Sequence, residues 1–201
     1  ELPTIYSKYA INQMKETFLK EEVSLEKIYK KPGPREYNTN IQKYCLSTNS
    51  PYNVLVVCMG GTFFQEPNPE GSLAPTKRSL KELFDKKLRG IEELTSIDYC
   101  ELVNLDSTEI EHADRVELAK MIAKHMKSYD GFVVLHGTDT LAFTAGALSF
   151  MLQGLEKDIV LTGAQKPGFD YSDFDRNFTN ALKVILHRLD QKNGKQVRAG
   201  V

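Results

Sequence analysis

The sequence predicts an α/β fold: a three-layer parallel sheet with helices on both faces, preceded by a helical N-terminal extension. Three observations carry this expectation. From Val54 onward, apolar runs of strand length alternate with segments of helical periodicity. The runs at 54–59 and 131–135 are continuous rather than alternating, as strands buried on both faces require, and 97–105 shows mixed alternation. Each run ends in glycines, hydroxyls or carboxylates, and ligands of an open parallel sheet bind just beyond the carboxyl ends of its strands.

Residues 1–53 form the extension. Ile11, Met14, Phe18, Leu25 and Ile28 recur at spacings near three, four and seven, with Lys and Glu between them, so an amphipathic helix is expected. Lys31-Pro32-Gly33-Pro34 stops it, and the Asn-, Thr- and Ser-rich stretch 35–53 reads as a linker or irregular arm. A lone amphipathic helix has to dock, on the main domain or on a second subunit. The α/β domain spans 54–201. Its first strand is 54–59. Thr76 is the expected cap of a helix with Leu80, Leu83, Phe84 and Leu88 on one face, ended by Gly90. Residues 97–105 are the second strand. Asp114 opens a helix expected to turn Val116, Ala119, Ile122, Ala123 and Met126 inward. Residues 131–135 are the third strand. The largely apolar helix 140–153 follows, with Phe143, Phe150 and Met151 assigned to the core. Residues 159–161 are the fourth strand, 177–189 the last helix, and 199–201 the start of a fifth strand.

Composition fits this reading and removes others. A length of 201 residues allows one domain plus an appendage at about 150 residues per domain. Lys+Arg 26 against Asp+Glu 27 gives a net charge of -1, which argues against a dominant nucleic-acid-binding role. Such a role needs a basic excess to release phosphate counterions. No stretch approaches the roughly 18 apolar residues of a membrane span. Cys45, Cys58 and Cys100 form neither a Cys-x-x-Cys pair nor a disulfide ladder, and that usage suits a reducing compartment. Cys58 and Cys100 are expected to be small buried hydrophobes.

The chemistry gathers after the strands. The first is followed by Gly60-Gly61-Thr62, the second by Asp106-Ser107-Thr108-Glu109, the third by His136-Gly137-Thr138-Asp139-Thr140 and the fourth by Thr162-Gly163-Ala164-Gln165. Each has a plain alternative. The glycines are turn formers, Asp106 or Ser107 caps a helix, Thr138 or Asp139 caps the next, and His136 is a satisfied core histidine. Together, four polar strand ends in one crevice exceed what capping needs. There is no Gly-x-Gly-x-x-Gly, P-loop or Gly-x-Ser-x-Gly elbow, no Cys/His cluster for zinc and no carboxylate pair for glycoside hydrolysis. What remains is a hydroxyl nucleophile, which needs an activating partner. Glycines before Thr62 leave backbone N–H groups for a developing oxyanion, each worth about 3 kcal/mol. A carboxylate at Asp139 suits an ammonium group, and Ser107 at a helix start suits a carboxylate. These features describe a pocket for a free amino acid.

The four blocks resemble the signatures of bacterial-type L-asparaginases. Residues 135–152 and 172–181 are most similar to the cytoplasmic, type I branch, and the likeness covers 54–201, the N-terminal portion of that family's fold. The resemblance implies hydrolysis of the side-chain amide of L-asparagine to L-aspartate and ammonia. Thr62 would form the acyl-enzyme and Thr138 would be the second catalytic threonine. Asp139 would hold the α-ammonium, Asp106, Ser107 and Thr108 would surround the α-carboxylate, and Gly61 would line the substrate site. It implies no metal or organic cofactor, an amino-acid substrate rather than nucleic acid or membrane, and a homodimer or homotetramer. Met59 stands where the family usually has threonine. Phe64, following Phe63, is expected to crowd the mobile lid, and Ser72 stands in place of a lid tyrosine. The activating lysine and the C-terminal domain are expected beyond Val201. Two other readings are a non-catalytic relative that binds an amino acid or a protein partner, and amidotransfer on a charged tRNA.

Overall fold

The structure, a computed structural model, describes residues 35–87, 91–167 and 172–193. The amphipathic helix expected before Pro32, the positions Leu88 and Gly90, and the strand expected at 199–201 lie outside them. In chain order the strands are β1 (Gln42–Cys45), β2 (Asn53–Gly60), β3 (Gln65–Pro67), β4 (Leu73–Pro75), β5 (Ser96–Leu105), β6 (Gly131–Leu135) and β7 (Asp158–Thr162). The helices are α1 (Leu80–Lys87), α2 (His112–His125), α3 (Leu141–Met151) and α4 (Phe174–Lys192).

The main sheet has the order β1-β5-β2-β6-β7, with β5, β2, β6 and β7 mutually parallel and β1 antiparallel on β5. The chain leaves β2 toward β5, then crosses back over β2 to β6. The carboxyl ends of β5, β2 and β6 therefore flank the point where the winding reverses, which is where an open sheet forms a crevice. Alternation along β2 builds the three layers. Val54, Val56 and Cys58, with Val133 and Leu135 of β6, pack under residues of α1 and α4. Leu55, Val57 and Met59, with Phe132 and Val134, pack under α2 and Leu148 of α3. Seven of the eight β2 residues are buried, so β2 is the spine of both cores. Under the first face, Phe174 stacks on Phe63 at 5.0 Å between ring centroids and on Phe178 at 5.7 Å, and Phe178 stacks on Phe84 at 5.3 Å. All four rings are fully buried.

The expected strands at 54–59, 97–105, 131–135 and 159–161 are β2, β5, β6 and β7. Several local expectations fail. The stretch read as a linker supplies β1, held to β5 by paired backbone and by Tyr99 donating its hydroxyl to Gln42 at 2.6 Å. The small β3–β4 hairpin has no apolar run to announce it. Ser79, not Thr76, caps α1: its Oγ accepts from Glu82 N at 3.2 Å, while Glu101 of β5 accepts from Leu80 N at 2.7 Å. The Thr76 hydroxyl donates to Glu66 and accepts from Arg78 N. Helix α2 starts at His112 behind a capping box in which Glu111 and Asp114 exchange bonds. Asp114 is fully buried and also accepts from the Tyr37 hydroxyl at 2.9 Å. This polar anchor goes with a buried stripe of Leu118, Ala119, Met121 and Ile122, and Ala123 is exposed.

The largest correction concerns α3. Phe143, Phe150 and Met151 are 71%, 77% and 37% exposed rather than core, and only Thr144 and Leu148 are buried. A helix apolar on every face gives no sequence signal for the face it buries. Cys58 and Cys100 are buried, as expected. Burial pushes the Cys58 thiol far up and the Cys100 thiol to about 11, with Glu101 adding to both, so neither is a ready nucleophile. Among the described residues no helix is long and apolar enough to cross a membrane.

Removing a ring from the stack leaves a cavity. Phe174→Ala is expected to lower unfolding free energy by about 3–5 kcal/mol in urea titrations, and Phe150→Ala to change it by no more than about 0.5 kcal/mol.

Candidate functional site

Glycines decide how close the strand ends come. Gly60, at φ 92°, lies against β5 so tightly that a Cβ there would sit 2.3 Å from the backbone N and O of Leu105. Gly61, at φ 115° and ψ 177°, lies against the loop after β6, where a Cβ would sit 2.5 Å from the Gly137 Cα. That backbone region is open essentially to glycine alone. A Cβ on Gly137 would in turn meet the Ser107 Cβ at 2.5 Å, and one on Gly163 would meet the His136 carbonyl oxygen at 2.3 Å. Four loops thus abut through backbone and small side chains. The residues just before Thr62 and Thr138 touch each other, and Ser107 lies against the second of them.

Thr62 opens a 3-10 turn, Thr62–Phe64, closed by Phe64 N donating to Gly61 O at 2.8 Å. The two residues after it are driven into the core: Phe63 and Phe64 are both fully buried. The expectation that Phe64 crowds the lid is therefore wrong. Its ring lies beneath the sheet edge and, with Phe63, anchors the turn that presents Thr62. Met59 is likewise core. Ser72 lies in the β3–β4 turn, where its hydroxyl accepts from Asn68 Nδ2 at 2.7 Å.

Asp106 caps the 3-10 turn Ser107–Glu109. Its Oδ1 accepts from Thr108 N at 2.9 Å and from Thr108 Oγ1 at 2.7 Å, and its Oδ2 accepts from Gln65 Nε2 at 3.2 Å. The Thr108 bonds, with Gln65 adding less, hold its carboxyl below the usual range. Ser107 is buried and Thr108 exposed. After β6, Thr140 occupies the N-cap position of α3 but makes no side-chain cap; its hydroxyl donates to Ser107 O at 2.7 Å. Neither Thr138 nor Asp139 is spent on capping α3, so the plain alternative for both is set aside. Thr138 is half-buried and Asp139 exposed. His136 is fully buried, with Nδ1 2.7 Å from Gly137 O and Nε2 2.8 Å from Thr144 Oγ1.

The loop after β7 is tied by Asn177, whose Nδ2 donates to Gly163 O and to Asp173 Oδ2, both at 2.9 Å. Asp173 also accepts from Gln165 N at 3.1 Å. Burial pushes its carboxyl up, but bonds from its own N–H, Asn177, Gln165 and Lys166 outweigh this and hold it below the usual range. Sequence reading missed Gln65, Arg115, Thr144 and Asn177. Only Asn177 left a signal, at i+4 from Asp173. Among the described residues no three His, Cys, Asp or Glu side chains are grouped to hold a metal ion.

The chain is similar to known proteins. Residues 53–199 match the family model described as Asparaginase, N-terminal. L-asparaginase 1 of Escherichia coli K12 is 36% identical over 139 residues, which is 67% of this chain and 40% of that protein. The 60 kDa lysophospholipase of Homo sapiens is 50% identical over 78 residues, 38% of this chain and 14% of that protein. Among solved structures, L-asparaginase I of Vibrio cholerae superposes with a TM-score of 0.62 at 34% identity, covering 68% of this chain and 41% of that one. The chain thus spans about two fifths of the length of the asparaginases it matches.

Two outcomes follow from the packing. Gly61→Ala is expected to cost at least about 2 kcal/mol of stability in denaturant titrations, through strain and overlap with Gly137. Gly146→Ala, in α3 with nothing within 4 Å of its added Cβ, should instead stabilise by about 0.5–1 kcal/mol. Burial, with Arg115 adding, lowers His136 from its ordinary 6.5. The unfolded chain then takes up a proton that the folded chain refuses, so this contribution to stability is complete above pH 6.5 and is lost as pH falls toward the folded value. Thermal melts should drop between pH 7.5 and 5.5. His136→Gln should flatten that slope but not abolish it, since burial, with Lys124 adding, lowers His125 as well.

Proposed function

The chain belongs to the asparaginase family, and from that premise we propose that the full-length protein hydrolyses L-asparagine to L-aspartate and ammonia through an acyl-enzyme on Thr62. One observation carries this reading. Gly61 and Gly137 meet backbone to backbone with Ser107 alongside, so the hydroxyls of residues 62, 107 and 138 arise from three loops in mutual contact.

In the proposed reaction Thr62 Oγ attacks the side-chain amide carbon and gives up its proton to an activating group. That group is expected on a later strand. The carbonyl π pair moves to oxygen, and N–H groups of the Gly61–Thr62 turn stabilise the resulting oxyanion. The oxyanion collapses, the C–N bond breaks and ammonia leaves with a proton. Water then attacks the ester, releasing aspartate and restoring Thr62. Thr138 serves as the second catalytic threonine, orienting the attacking group. The Asp139 carboxylate receives the α-ammonium. Ser107, Thr108 and the N–H groups opening their turn receive the α-carboxylate. Asp106 already accepts three hydrogen bonds from Thr108 and Gln65, so we assign it to holding that turn in place rather than to the α-carboxylate. An acceptor-only carboxylate facing a second carboxylate would repel it. We further propose that the protein works as a cytoplasmic homodimer or homotetramer.

Ammonia release tests the reading. Thr62→Ala should lower kcat by on the order of 10⁴-fold or more while aspartate still binds in calorimetry. Normal turnover by that variant removes Thr62 from its role. Aspartate binding by a wild-type protein that never hydrolyses asparagine would instead point to a non-catalytic relative.

A further inference from the structure

Gly137 is where the site closes, and its carbonyl is held from behind. His136 Nδ1 lies 2.7 Å from Gly137 O. A carbonyl oxygen only accepts, so the proton of this bond is on Nδ1. In the neutral ring, Nε2 then carries a lone pair, and Thr144 Oγ1 is 2.8 Å away. Thr144 has one proton to donate and spends it on Nε2. Its oxygen is left to accept from Arg115 Nε at 3.1 Å. The bonds therefore run one way: from Arg115 on α2, through Thr144 on α3, to His136 at the end of β6, and on to Gly137. His136 and Thr144 are both fully buried, where a broken link would leave an unsatisfied polar group. Thr144 and Leu148 are the two buried residues of α3, so a hydroxyl occupies half of the face that this apolar helix turns inward.

We propose that His136, Thr144 and Arg115 are positioning residues that fix the Gly137–Thr138 peptide, and with it the Thr138 hydroxyl, through this directional chain of hydrogen bonds. The proposal rests on the reading of Thr138 as part of an amide-hydrolysing site. The ring's one accepting lone pair is required at Nε2, so the chain works only with neutral imidazole in the Nδ1–H form. Burial and the Arg115 charge both favour the neutral ring, against the Gly137 bond, which favours the charged one.

The test has two readouts on the full-length protein. Nitrogen NMR of labelled histidines, with His136 assigned by the loss of its signal in His136→Gln, should show the Nδ1–H form at neutral pH. Asparagine hydrolysis should fall roughly 10- to 100-fold in kcat in Thr144→Val, with KM changed less than about twofold. Thr144→Ser, which keeps the hydroxyl, should recover most of that loss. An Nε2–H form overturns the chain whatever the activity. Unchanged kcat in a folded Thr144→Val, or an equal loss in Thr144→Ser, overturns the positioning role. If the Nδ1–H form is found but wild-type protein releases no ammonia from asparagine, the hydrolase reading fails and the positioning role falls with it.

Discussion

The structure depends on the close approach of Gly61 to Gly137. Parallel strands separate at their carboxyl ends as each chain turns off toward its helix, and side chains normally wedge those turns apart. Here two residues without Cβ atoms face each other, so the loops after β2 and β6 meet at backbone distance. Gly60 does the same toward β5. The loops that carry Thr62, Ser107 and Thr138 are thereby brought into contact through backbone rather than side chains.

The core continues directly beneath these loops. Thr62 is followed by two fully buried phenylalanines, and the first stacks on Phe174 of α4. On the other side Thr140 and Ser107 tie the β6 and β5 loops together, and Gln65 reaches from the Thr62 turn to Asp106. These bonds tie together the loops that carry Thr62, Ser107 and Thr138.

Much of this architecture was legible in the residues. Continuous apolar runs located β2 and β6, because a strand buried on both faces has no polar alternation to confuse the reading, whereas β5 showed mixed alternation and β7 only a short run. The polar blocks behind them marked the crevice, since strand ends in an open sheet converge whatever the connecting helices contain. Less was legible where a choice between faces was needed. Helix α3 is apolar all round, and its sequence gave Phe143, Phe150 and Met151 no mark to distinguish them from Leu148. Helix α2 buries a stripe offset from the expected one, and the buried Asp114, bonded to Tyr37 far upstream, accompanies it. Phe64 was misplaced because a three-residue 3-10 turn has no periodicity to read.

By itself the sequence determined which residue types stand at each strand end and that their strands share one sheet, because both follow from local pattern and from the restricted ways a parallel sheet can wind. Only the tertiary structure decided which groups hold them. Gln65 reaches Asp106 across 41 residues and Arg115 reaches Thr144 across 29. Hydrogen bonds between side chains on different elements follow from the angles at which those elements pack, and packing leaves no trace in the spacing of residues along the chain.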